Sequence, residues 1–393
     1  MSYSPKKRII FVIESLNIGG AEKSLVSLLN ILDYSKIEVS LLILSETKTL
    51  IKNIPDNVIK LDTPDIARHL AQPFQNKLKL GLFISRIVYS LLVRCYVKIE
   101  NRIYLYWRLF GKKFEKIANY YDVAIGWGQG IPIFFIVDKI KASKKIGWIN
   151  AFYPLTGSIR NFNIDYFTKL NKIIAVSENL ANDIKKSFPS LMDKVDFIYD
   201  IINPDIIKSL SMEGKAYEFD LSYPVMLTIG RLDFRKGIDI AIEAAKILKN
   251  KGIKYKWYTI GEGGERKNLE NIISKYGLTD NFILLGSKEN PYPYIKECLI
   301  YVQPSRTEGF CLTLAEAKIL EKPIVTTCFS TAYVQIEHEK TGIITSGIKD
   351  LASQVLNLIY NPSLRLELVK NLVQKKNIYN EDLKKFYALI HSD

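Results

Sequence analysis

Short β-branched runs alternate with longer segments of helical period along most of this chain, and that rhythm constrains the fold more than any other feature. In the first half the runs are Ile9 to Ile13, Ile37 to Leu44, Val123 to Ile125, Ile146 to Ile149 and Ile173 to Val176, interleaved with helical patterns such as Ala21 to Leu32 and Glu178 to Ser187. Strands separated by helix-length segments pair in parallel through crossover helices, giving a doubly wound α/β sheet. A polar, weakly periodic stretch, Lys208 to Tyr223, ends at Pro224 and reads as a linker over 206–223. The alternation then restarts with strands at Val225 to Ile229, Lys256 to Ile260, Phe282 to Leu285, Leu299 to Val302 and Pro323 to Thr326. Helices are expected at Ile238 to Lys249, Arg266 to Tyr276 and Leu312 to Leu320. The expected class is α/β with two Rossmann-like domains, 1–205 and 224–378. Amphipathic helices follow from Leu351 to Ile390, and the last, 379–393, is expected to pack back on the N-terminal domain.

Open α/β sheets bind ligands beyond the carboxyl ends of their strands, so the informative residues should lie just after strands. After Ile229 the chain reads Gly230-Arg231-Leu232-Asp233-Phe234-Arg235-Lys236-Gly237, a basic turn opening on a helix N-terminus. Free amides, helix dipole and the charges of Arg231 and Lys236 make a diphosphate site; a solvated basic turn is the plain alternative. The second signal runs from Ser305 to Glu316, with Glu308 and Glu316 flanking a loop-to-helix junction. With the helix starting near Phe310, both carboxylates face one ligand, and the amides of Gly309, Phe310, Cys311, Leu312 and Thr313 are orphan donors for phosphate or sugar oxygens. Alternatively, Glu308 is a helix-terminal anion and Glu316 faces solvent.

Together these motifs resemble the retaining glycosyltransferases of family four, whose fold is GT-B, two Rossmann-like domains facing a central cleft. The resemblance also takes in Gly19-Gly20-Ala21-Glu22, Gly261-Glu262-Gly263 and Glu321-Lys322-Pro323-Ile324-Val325. It implies that Glu316 holds the ribose of a nucleotide sugar and Glu308 lies against the donor sugar. Arg231 and Lys236 would grip the diphosphate and stabilise the leaving group. Gly19 and Gly20 would let the first loop approach donor and acceptor, unless they serve only a tight turn, and Gly261, Leu285 and Ser287 would complete the donor site. The implied reaction is transfer of a hexose or N-acetylhexosamine, with retention, from a nucleotide sugar (UDP by family analogy), without cofactor or metal; Asp-x-Asp does not occur. Where relatives often carry histidine the chain has Asn150, which is expected on the acceptor side or in a capping or turn role.

Fifty-five Lys and Arg against 41 Asp and Glu give +14, and most of the excess, +10, lies in residues 1–205. Residues 77–116 hold ten Lys or Arg (Lys77, Lys79, Arg86, Arg94, Lys98, Arg102, Arg108, Lys112, Lys113 and Lys116) against Glu100 and Glu115, with Trp107 and many aliphatic residues between them. Such a composition suits interfacial helices on an anionic cytoplasmic leaflet, and with it a lipid-diphosphate-linked saccharide acceptor in cell-surface polysaccharide synthesis. A helical hairpin with a basic outer face would look the same. Neither a signal peptide nor a spanning helix is expected, and the four scattered cysteines suit a reducing cytoplasm. A nucleotide-sugar epimerase of the same fold lacks a candidate acid–base pair. A basic nucleic-acid-binding protein would use the same charge, but no motif for it is present.

Overall fold

The computed structural model describes residues 6–46, 49–71, 87–92, 99–151, 157–374 and 379–392. The chain divides into two compact units: Met1–Ile202 with Tyr379–Asp393, and Asn203–Ile378.

The first unit is built on a seven-stranded parallel sheet of order β3-β2-β1-β4-β5-β6-β7, comprising β1 (Lys7–Ile13), β2 (Ile37–Ile43), β3 (Val58–Leu61), β4 (Tyr120–Trp127), β5 (Lys141–Ile149), β6 (Lys172–Ala175) and β7 (Val195–Phe197). Helices α1 (Gly20–Leu29), α2 (Asp65–Ala71), α3 (87–92), α4 (Ile99–Phe110), α5 (Ile131–Lys139), α6 (Gly157–Phe167) and α7 (Glu178–Ser187) connect its strands. The central strands are apolar on both sides because helices cover both faces. The short strands β3 and β7 escaped the sequence pattern: β3 lies at the sheet edge and alternates only weakly, with Ile59 and Lys60 exposed.

The second unit carries a six-stranded parallel sheet, β10-β9-β8-β11-β12-β13, made of β8 (Val225–Ile229), β9 (Lys256–Ile260), β10 (Phe282–Gly286), β11 (Ile300–Gln303), β12 (Ile324–Thr327) and β13 (Ile343–Thr345). Its helices are α8 (Pro204–Leu210), α9 (Ile238–Asn250), α10 (Arg266–Lys275), α11 (Tyr292–Glu297), α12 (Leu312–Ile319), α13 (Ala332–Gln335), α14 (Ile348–Tyr360) and α15 (Pro362–Gln374). In each sheet the winding reverses beside the first strand, so the loops after β1 and β8 occupy the switch points where Rossmann-like sheets bind ligands.

Two expectations need correction. Residues 206–223 are not a linker: α8 is capped by Asn203, and Phe219 stacks on Tyr258 at 4.5 Å with Tyr294 edge-on, so this polar stretch folds onto the second unit. Trp107 does not face outward. It is 3% exposed, packed against Phe114, Phe134 and Phe135, and its indole N–H donates to Asp138 and Tyr166. The amphipathic helix buries its tryptophan because that is its largest apolar side chain.

The final helix, α16 (Tyr379–His391), lies in the first unit. Phe386 stacks on Phe11 at 6.3 Å and meets Trp148 edge-on, and the Tyr387 hydroxyl accepts from the Asp33 amide.

Candidate active site

Strand β8 delivers the chain into the turn Gly230–Gly237, and Asp233 fixes that turn by accepting from the amides of Arg235 and Lys236 at 3.0 and 3.3 Å. Gly237 follows in the left-handed region, φ 63°; a Cβ there would strike the Pro304 carbonyl just beyond β11. Gly261, at φ 147°, meets the Gly230 carbonyl in the same way. These two glycines allow the backbone ends of β8, β9 and β11 to close on each other.

That approach brings Lys236 to Glu308. The Lys236 Nζ lies 2.7 and 2.8 Å from the two carboxylate oxygens, and Glu308 also accepts from the Ser305 hydroxyl at 2.7 Å. Burial opposes the charge on Lys236, but Glu308, with Cys311 and Asp233, outweighs it and holds the ammonium above the ordinary lysine range. Glu308 is largely buried; Arg231, on the same loop as Lys236, is exposed and makes no ion pair among the described residues.

Helix α12 begins at Leu312, where the helical period places it and two residues after Phe310, because Cys311 adopts φ 72° and ψ 71° and cannot be helical. The carbonyls of Phe310 and Cys311 are held by the Gln335 side chain. Among the described residues, no acceptor meets the amides of Gly309, Cys311, Leu312 or Thr313, so they form a row of donors beside Glu308. The Cys311 thiol is buried, and burial first, then Glu308, raises its pKa.

Glu316 does not face solvent. It is 2% exposed and accepts from the Tyr292 hydroxyl at 3.1 Å; burial, then Glu316 itself, keeps that phenol protonated. Leu285 and Ser287 flank Gly286 at the end of β10, Leu285 half-buried and Ser287 exposed.

Sequence reasoning missed the residues that hold this arrangement. Gln303, fully buried, receives hydroxyls from Tyr301 (2.6 Å) and Thr313 (3.0 Å) and donates to Ser305 (2.8 Å), tying β11 to α12. A glutamine at the end of a buried strand is the signal that could have found it.

In the first unit, Gly19 caps α1, with Gly20 its first residue, and a Cβ on Gly19 would strike the Glu22 carboxylate, which accepts from Ser15. Asn150 follows β5. Among the described residues its side chain makes no capping or turn bond, and both amide atoms are shielded from water with no hydrogen-bond partner there. Of the expected docking residues, Arg102, Arg108, Lys112 and Lys113 are exposed; Lys77, Lys79, Arg86, Arg94 and Lys98 lie outside the described residues. Among the described residues, no helix is long and apolar enough to cross a membrane.

Residues 213–375, which hold every element of the second unit's site, match the family model for glycosyl transferases group 1. The second unit is similar to the group 1 glycosyltransferases. The chain is 29% identical over 243 residues to an uncharacterized glycosyltransferase of Methanocaldococcus jannaschii, covering 57% of this chain and 59% of that one. It is 25% identical over 328 residues to the N-acetylgalactosamine-N,N'-diacetylbacillosaminyl-diphospho-undecaprenol 4-alpha-N-acetylgalactosaminyltransferase of Campylobacter jejuni, covering 80% and 79%. The chain spans just over half the length of the first curated relatives it matches, 59% and 54%. Among solved structures, Anabaena HepE in complex with UDP and glucose has a TM-score of 0.71 at 16% identity, covering 98% of this chain and 99% of that one. The matched residues thus lie in the second of two Rossmann-like α/β units of the GT-B fold.

Proposed function

We propose that this protein transfers a hexose or N-acetylhexosamine from a UDP-sugar to a lipid-diphosphate-linked saccharide, with retention of anomeric configuration. The observation that carries this reading is the Lys236–Glu308 pair beside the amides of Gly309, Cys311, Leu312 and Thr313. Lys236 and exposed Arg231 supply positive charge for a departing diphosphate, and the amides supply donors to its oxygens and to the sugar. Glu308 orients the Lys236 ammonium and lies against the sugar. Glu316, fixed by Tyr292, holds the ribose hydroxyls. Retention needs no protein nucleophile in this reading: the leaving diphosphate oxygen accepts the acceptor's proton as the new glycosidic bond forms on the same face.

The acceptor class draws on the diphospho-undecaprenol substrate in the Campylobacter protein's name, and UDP on the HepE complex. Exposed Arg102, Arg108, Lys112 and Lys113, with half-exposed Leu91 on α3, would seat the first unit on an anionic cytoplasmic membrane face. The test is UDP release from a panel of UDP-sugars in the presence of lipid-diphosphate-linked saccharides, with product stereochemistry read by NMR. We expect one donor to turn over, to raise the melting temperature, and to do so in EDTA. Absence of both turnover and thermal shift with every nucleotide sugar would overturn the proposal.

A further inference from the structure

The Lys236–Glu308 pair joins two loops that are far apart in the chain, and Arg306 touches both. Its backbone amide donates to the Arg235 carbonyl at 2.7 Å, adjacent to Lys236. Its guanidinium donates to the Phe234 carbonyl at 2.8 Å and stacks on the Phe234 ring, 4.0 Å from the centroid. The remaining fork closes on Asp239, in the first turn of α9, with Nη1–Oδ1 2.7 Å and Nη2–Oδ2 2.6 Å. Two parallel bonds to one carboxylate fix the plane as well as the position of the guanidinium. Arg306 is two residues before Glu308, so this clamp fixes the entry of the Glu308 loop against the turn that carries Lys236.

We propose that Arg306, held by Asp239 and Phe234, is a positioning residue that sets the register of Lys236 against Glu308. The inference rests on the reading of that pair as the catalytic centre for its kinetic consequence, but not for its structural one. Without the clamp the two loops keep the Arg306–Arg235 backbone bond and the Lys236–Glu308 pair itself, and Lys236 spends more time away from Glu308, where its amine is more accessible and more readily deprotonated. Misplacement of reacting groups by about 1 Å costs on the order of 100-fold in rate, so the effect belongs in kcat rather than in donor affinity.

The experiment compares wild type, Arg306→Ala, Arg306→Lys and Asp239→Asn by two independent readouts. In the first, acetic anhydride labelling of the intact protein is followed by mass spectrometry. Lys236 should label at least about fivefold faster in Arg306→Ala and by an intermediate factor in Arg306→Lys and Asp239→Asn, with exposed Lys251, the C-cap of α9, unchanged as the control. In the second, kcat should fall about 10- to 100-fold in Arg306→Ala while KM for the sugar nucleotide stays within about threefold. Unchanged Lys236 labelling in folded Arg306→Ala overturns the proposal; if that variant does not fold, unchanged labelling in both Arg306→Lys and Asp239→Asn does so. Faster labelling with no turnover by the wild type would overturn the proposed function and leave the clamp standing.

Discussion

Both carboxylate oxygens of Glu308 accept from the Nζ of Lys236, at 2.7 and 2.8 Å, across 72 positions of sequence. Removing the carboxylate leaves an ammonium in a largely enclosed site and takes away the group that orients it. Glu308→Ala should therefore lower turnover at least about 100-fold while the circular dichroism spectrum is unchanged. Glu308→Gln keeps the shape but not the charge. It should lose nearly as much and lower the pKa of Lys236, seen as an earlier alkaline limb in the pH–rate profile.

The hydroxyl of Tyr292 fixes one oxygen of a carboxylate that is almost wholly buried. Tyr292→Phe removes that donor and should cost about 1–3 kcal/mol of stability, read from denaturant melts. Glu316→Ala should weaken UDP binding at least about tenfold by calorimetry, since in the proposed site it holds the ribose.

At Gly237 two penalties coincide, a left-handed backbone and a Cβ driven into the Pro304 carbonyl. Gly237→Ala should destabilise the second unit by about 2 kcal/mol or more and reduce turnover, because relief of the clash separates the Lys236 turn from the Glu308 loop. A melting temperature equal to that of wild type would count against this account of the loop contact.

Asp200 is fully buried, takes the Ser24 hydroxyl from α1 and faces Asp382 of α16; burial first, opposed by the Ser24 bond, raises its pKa to about 7. Lys385 and the Tyr199 amide face Asp382 in turn. A carboxyl with a raised folded-state pKa adds stability that is complete below about pH 4 and is lost as pH rises through about 7. Asp200→Asn carries no such loss. Its melting temperature relative to wild type should climb between pH 5 and pH 8, and a constant difference across that range would refute the assignment.

Helix α4 buries Trp107 and exposes Arg108, and Lys112 and Lys113 are exposed in the short turn that follows it. Trp107→Ala should cost about 3–5 kcal/mol of folding stability, since the indole fills an aromatic cluster and holds Asp138 and Tyr166. Reversal of Arg108, Lys112 and Lys113 to glutamate should leave the melting temperature within about 2 °C and abolish sedimentation with anionic liposomes at low salt. Liposome binding undiminished by the triple reversal would move the docking surface elsewhere.

The alternation of apolar runs and helical periods is enough on its own to specify both parallel sheets, most of their strands and the long helices. Strands β8 and β9 begin and end where the pattern places them. Fully buried parallel strands are continuous apolar runs, and crossover helices repeat every three to four residues, so both periods are written locally. The basic turn and the Glu308 to Glu316 segment were legible as candidates for the same reason, since each is a contiguous loop that follows a strand. Beyond that, the sequence is silent where a residue's role depends on a partner distant in the chain. That Lys236 meets Glu308, that Arg306 reaches Asp239, and that Tyr292 covers Glu316 are consequences of three strands lying side by side with their loops pressed together. Trp107 faces inward and residues 206–223 fold onto the second unit because apolar area is buried wherever the tertiary fold offers a partner, and no local pattern records where that partner will be.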